Sequence, residues 1–306
     1  MNRIGRILVV VDPTIAGPQA AVVKAALLAR SVNASVELLI CDVASALGDG
    51  HMTLRRQTSA QSNTQLLDLL ESLAVPLRAQ GTETTLRIIY GKSLPDSLLD
   101  YLPGSGADLV VKDTHHHSFA RRTVLRNTDW HLSRACPVPL LLTKAKAWGR
   151  PPMILAAIHP IHANPHAAAL DREILSNAAN LTGLLTGDLH VVHTYIPVAF
   201  AAVIAAGGRS TTPEYSDALQ AENSYRYSQI EQWVGAYGVA REHLHVEIGT
   251  AEYCLPRLVA RCRADVVVMG ASSHGEWHRM IPGSTTASIL ESLPCDILAV
   301  RAAGES

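Results

Sequence analysis

Short unbroken apolar runs alternate with longer helix-patterned segments along the chain. RILVVVDP (6–13), ASVELLICDV (34–43), LRIIYGKS (86–93), ADLVVK (107–112) and ACPVPLLLT (135–143) form one series. MILAAIHP (153–160), GDLHVVHTYI (187–196), HVEIGTAE (245–252), ADVVVM (264–269) and PCDILAV (294–300) repeat it in the same order and at similar spacing. A long-period repeat of this kind means one structural unit used twice. The runs are rich in Val, Ile and Leu without strict alternation, which suits strands buried on both faces. Between them, AAVVKAALLARSV (20–32), TQLLDLLESLAVPLRAQG (64–81) and ENSYRYSQIEQWVGAYG (222–238) carry helical spacing, the last two ending in glycine. Strands alternating with helices predict an α/β fold of two tandem parallel sheets with helices on both faces. KAKAWGRPP (144–152) reads as the linker, giving domains at 1–145 and 152–306. In such sheets ligands bind at the carboxyl ends of the strands. That directs attention to Asp12 and Pro13, to His159 and Pro160, and to the loops after the fourth strand of each half.

Composition narrows the function classes. Of 306 residues, 48% are hydrophobic and 17% charged, which is globular rather than disordered. The formal net charge of -1 gives no bulk attraction for nucleic acid or an anionic membrane. The first apolar run is too short for a signal peptide or a membrane span. Five cysteines without a CxxC pair read as buried thiols in a reducing compartment, so the expected location is cytoplasmic.

The stretch MGASSHGEWHRMIPGSTT (269–286) then carries the chemistry. With the tandem α/β units, it resembles the universal stress protein family. DTHHHSFARRTVLRNTDWHLSRACPVP (113–139) narrows the resemblance to tandem bacterial members. The resemblance implies a five-stranded sheet of order 3-2-1-4-5 in each half. It also implies pairing of the halves as an intramolecular pseudo-dimer and a stress-linked, largely non-enzymatic role. Nucleotide-binding members carry G-x2-G-x9-G-[ST] after strand four and an acidic residue at the end of strand one. Glycines let backbone N–H groups approach a phosphate, and a helix N-terminus adds partial positive charge.

The second half keeps the outer positions, Gly270 and the pair Gly283–Ser284, followed by Thr285. Ser273 stands at the middle glycine, and His159 replaces the strand-one acid. The first half is the reverse: Asp12 is present, but KDTHHHSFARRTVLRNTDW has no glycine. The first domain therefore reads as a degenerate, structural copy. The second reads as the ligand domain, with Gly270, Ser273, Gly283, Ser284 and Thr285 as an anion loop and His159 and Pro160 at its base.

The apolar segment IPVAFAAVIAAGG (196–208) suggests either a core contact or a lid, with Phe200, Val203 and Ile204 over an acyl-like tail. The expected ligand is thus ATP, another nucleotide or an amphipathic phosphate compound. A ligand-free interaction scaffold and a weak ATPase are the alternatives. Protein partners and a homodimer remain open. His115 and His117, or His274 and His278 at i, i+4, lack the further ligands of a tetrahedral set, so no metal site is expected. GxSxG, HExxH and GxxxxGK[ST] are all missing, so no catalytic residues are assigned and an efficient P-loop ATPase is not expected.

Overall fold

The computed structural model describes residues 4–15, 17–43, 52–114, 122–160, 165–198, 200, 213–271, 289 and 292–302. The chain forms two compact units, residues 1–147 with 296–301, and residues 148–295 with 302–305.

The first unit is built on β1 (Arg6–Val10), β2 (Ser35–Asp42), β3 (Thr84–Tyr90), β4 (Leu109–Asp113) and β5 (Leu140–Thr143). Their order is β3-β2-β1-β4-β5, all parallel. Consecutive residues Ile7, Leu8 and Val9 are all fully buried, because helices cover both faces. Those helices are α1 (Ala20–Val32), α2 (Met52–Ala79), α3 (Leu94–Ser105) and α4 (Arg122–Ala135). Val22 of α1 and Leu73 of α2 line one groove, and α3 packs on α4.

The final strand of the chain, β10 (Asp296–Val300), also packs in this unit. It runs antiparallel to β5, with Leu298 opposite Leu141. A buried ion pair fixes it: Lys24 Nζ lies 2.6 Å from Asp296 Oδ2, with side chains only 4% and 2% exposed. Lys24 also donates to the Lys144 carbonyl (2.7 Å), and Asp296 Oδ1 accepts the Lys144 N–H (2.8 Å).

The second unit contains β6 (Met153–Ala157), β7 (Asp188–Tyr195), β8 (Leu244–Ile248) and β9 (Val266–Gly270). The order β9-β6-β7-β8, again parallel, reproduces the 4-1-2-3 core of the first sheet. Helices α5 (Pro165–Leu185), α6 (Pro213–Val234) and α7 (Ala251–Cys262) pack on it. Side chains alternate along β7, so Val191, His193 and Tyr195 share one face and His190, Val192 and Thr194 the other.

The repeated dipeptide AD before strand four has a structural use. Asp108 Oδ2 accepts from the N–H groups of Gly5 (2.7 Å) and Arg6 (3.0 Å), and Asp265 Oδ2 accepts from Met153 N–H (3.0 Å). Each carboxylate thus satisfies backbone donors at the start of its central strand, donors that would otherwise be costly to leave unpaired.

Candidate functional site

In both units a helix side chain secures the carboxyl end of the central strand. In the first, the Gln19 amide bonds both backbone groups of Asp12 (2.9 and 2.8 Å). Asp12 Oδ1 accepts from the N–H and hydroxyl of Thr14 (2.8 and 2.7 Å), which closes an Asx turn. In the second, His159 N–H donates to both carboxylate oxygens of Asp171 on α5 (3.1 Å each). Asp171 and Pro160 are buried there, and His159 is half-buried.

From His159 a polar and aromatic column crosses the end of the second sheet. The His159 and His193 rings lie 5.0 Å apart, and His193 stacks at 5.9 Å on Tyr195. His193 Nδ1 sits 3.2 Å from the Ile158 carbonyl. The Arg226 guanidinium lies 4.3 Å over the Tyr195 ring, and the Tyr195 hydroxyl donates to Asn223 on α6 (3.2 Å). Burial pushes the Tyr195 phenol above its ordinary pKa, with Glu222 adding to the rise and Arg226 opposing it. Glu222 Oε1 accepts from Arg226 (2.8 and 3.1 Å), while Oε2 accepts the Val198 N–H (3.1 Å). One carboxylate therefore ties the segment after β7 to α6. That segment presents Ile196, Val198 and Phe200, exposed by 40%, 72% and 46%.

The corresponding end of the first unit carries its own polar contacts among the described residues. Asp113, buried at the end of β4, accepts from Ala21 N–H in the first turn of α1 (2.7 Å) and from the Thr143 hydroxyl (2.5 Å). A helix N-terminus attracts anions because its N–H groups are unpaired and its dipole is positive. Here an internal carboxylate already occupies that position. Lys112 Nζ donates to the Asp113 carbonyl (2.9 Å) and lies 2.8 Å from Asp129 Oδ1, close but not aligned as a hydrogen bond.

Of the residues expected from the sequence, Asp12, His159, Pro160 and Gly270 fall within the described structure at strand ends. Gly270 also has a packing role: a Cβ there would lie 2.6 Å from Leu170 Cδ2, so its absence lets α5 approach β9. Ser273, Gly283, Ser284 and Thr285 lie outside the described residues, as do Val203, Ile204, His115–His117, His274 and His278. His193, Tyr195, Asn223 and Arg226 are not among the residues expected from the sequence, where the available signal was polar His190, His193 and Thr194 within the apolar run of β7.

A second group of side chains was also missed. His190 on β7, His245 on β8 and Cys262 at the end of α7 bring their donor atoms within 4.8 Å of one another. His190 Nδ1 lies 2.9 Å from His245 Nε2, which lies 4.0 Å from Cys262 Sγ. The His243 ring stacks on His190 at 4.0 Å. Burial and the neighbouring imidazoles of His243 and His245 push His190 down to about 4, so it is neutral near pH 7. Burial and Arg261 also push His245 down. Cys262 is half-buried, whereas the other four cysteines are buried. Burial pushes Cys136 up to about 11 and also raises Cys41 and Cys254.

Comparison with known proteins agrees with this architecture. A universal stress protein E from Escherichia coli K12 is 23% identical over 303 residues, covering 96% of this chain and 93% of its own. A functionally unknown protein from Pseudomonas aeruginosa PAO1 superposes with a TM-score of 0.67 at 24% identity, covering 98% of this chain and 93% of its own. A universal stress protein from Archaeoglobus fulgidus gives 0.67 at 16% identity, with 98% and 97% covered. Among the described residues no helix is long and apolar enough to cross a membrane. The profile of the universal stress protein family matches residues 3–144 and 168–301, both halves of the repeat, and the chain belongs to that family.

Proposed function

We propose that the second unit binds a phosphate-containing small molecule, a nucleotide or an amphipathic phosphate compound, at the carboxyl ends of β6, β7 and β9. The observation that carries this reading lies at the strand ends of the second unit, which combine a polar column from His159 to Tyr195 with exposed apolar residues Ile196, Val198 and Phe200. Polar groups beside an apolar surface suit a ligand with a charged head and an apolar or aromatic part.

In this assignment Gly270, Ser273, Gly283, Ser284 and Thr285 form the anion loop. Their backbone N–H groups and hydroxyls donate to phosphate oxygens. His159 and Pro160 form the base of the pocket, and Phe200 covers the apolar part. The role is regulatory binding during stress, without turnover, since no P-loop lysine motif is present to position a transferred phosphoryl group.

The test begins with small molecules released from freshly purified, denatured protein into aqueous and organic solvent and weighed by mass spectrometry. A stoichiometric phosphate-containing species is expected. Calorimetric titration with ATP or with that species then compares the wild type with Gly283→Val. The variant is expected to lose binding, because a branched side chain blocks backbone approach to phosphate. Unchanged affinity in the variant rules out the loop assignment. If nothing is released and no nucleotide binds, the exposed apolar segment is instead a protein-docking surface and the chain a scaffold.

A further inference from the structure

The geometry points to a transition-metal site in the second unit, an N2S centre formed by His190, His245 and Cys262 that takes a borderline-soft divalent cation, zinc foremost. This inference is independent of the phosphate reading. The cluster lies on the other face of β7 from His193 and Tyr195. His190 and Tyr195 are five positions apart, roughly 16 Å along a strand.

Three elements converge on the site. The parallel register sets Val192 beside His245, so His190 and His245 project from one face of adjacent strands. Cys262 is the last residue of the 12-residue helix α7. The negative end of that helix dipole favours a cation. Zinc binds nitrogen at about 2.0–2.1 Å and sulfur at about 2.3 Å, so tetrahedral ligands stand about 3.3 Å (N to N) and about 3.6 Å (N to S) apart. The observed 2.9 and 4.0 Å each lie within about 0.4 Å of those values. Glu247, on the same face, is held by Arg261 at 2.5 Å and is not counted as a ligand. Water takes the fourth position, with His243 stacked behind His190.

Two imidazoles and a thiol are the donor types that select zinc over magnesium or calcium. Without metal, the two imidazoles share one proton across the 2.9 Å contact. On binding, the donor imidazole moves that proton to its other ring nitrogen and stays neutral. Cys262 loses its thiol proton to solvent, so one proton is released per metal bound.

The full-length protein is stripped with chelator and titrated with Co(II), then with Zn(II), under absorption spectroscopy. The expected result is one equivalent of tetrahedral cobalt with a thiolate-to-metal charge-transfer band that zinc abolishes. Cys262→Ser removes the band, and His245→Asn weakens binding by at least about tenfold. Replacing His115, His116 and His117 together by Ala leaves the band intact. A second measurement uses the wild type alone: iodoacetamide labels Cys262 ahead of the four buried cysteines, and one equivalent of zinc protects it. A cobalt spectrum without the thiolate band, a band that survives Cys262→Ser, or a labelling rate that zinc does not change overturns the site.

Discussion

Replacing Lys24 with Met is expected to lower the unfolding free energy by about 3–5 kcal/mol, the cost of leaving one member of a buried ion pair behind. Lys24 Nζ contacts Asp296 Oδ2 at 2.6 Å, and both side chains are almost wholly withdrawn from water. Removing the ammonium leaves a carboxylate in a region where water cannot solvate it. Asp296 keeps the Lys144 N–H, but a backbone dipole does not replace the full charge of the ammonium. The loss falls on β10, which Asp296 begins, and so on its antiparallel pairing with β5. The control is Lys24→Met combined with Asp296→Asn. Asparagine keeps an acceptor for the Lys144 N–H but carries no charge, so the double variant should recover most of the loss. Urea unfolding at pH 7 measures both. A single-variant loss under about 1 kcal/mol, the size of a surface pair, would show that water reaches the pair. High salt should change little, because buried charges are poorly screened.

The second large effect is expected at Asp113. Asp113→Ala should cost about 2–4 kcal/mol, since it removes two hydrogen bonds to a charged acceptor and strands the Ala21 N–H inside the protein. The N-cap residue Gln19 supplies no side-chain bond to α1, so Asp113 does that work from another strand. Asp113→Asn retains an acceptor for Ala21 and Thr143 and should cost less. Equal losses for Ala and Asn would mean that charge, not the hydrogen bonds, dominates. The same variants bear on function. Binding of ATP, or of the species released from the native protein, should be unaffected in folded Asp113→Asn, because the proposed site is in the other unit. Altered affinity would place a phosphate site in the first unit.

The two halves were legible from five recurring apolar runs, because strands buried on both faces must be continuously apolar. The parallel sheets followed from strands alternating with helices, which require a crossover between each pair. The eroded glycine pattern was legible for a similar local reason: close approach of a backbone to phosphate depends on residue type at fixed spacing. Gly270 carried a second constraint that spacing does not encode, its contact with Leu170.

What the sequence by itself determined, then, was the repeat, the α/β class and the loop where phosphate chemistry is expected. All of these rest on interactions between residues near one another in the chain or on the burial of a whole strand. Tertiary structure alone decided that Asp296–Val300 packs on β5, that Asp113 caps a helix 92 positions away, and that His190, His245 and Cys262 meet. Each is a contact between residues far apart in sequence. Strand register and helix packing set such distances, and neither leaves a period in the chain.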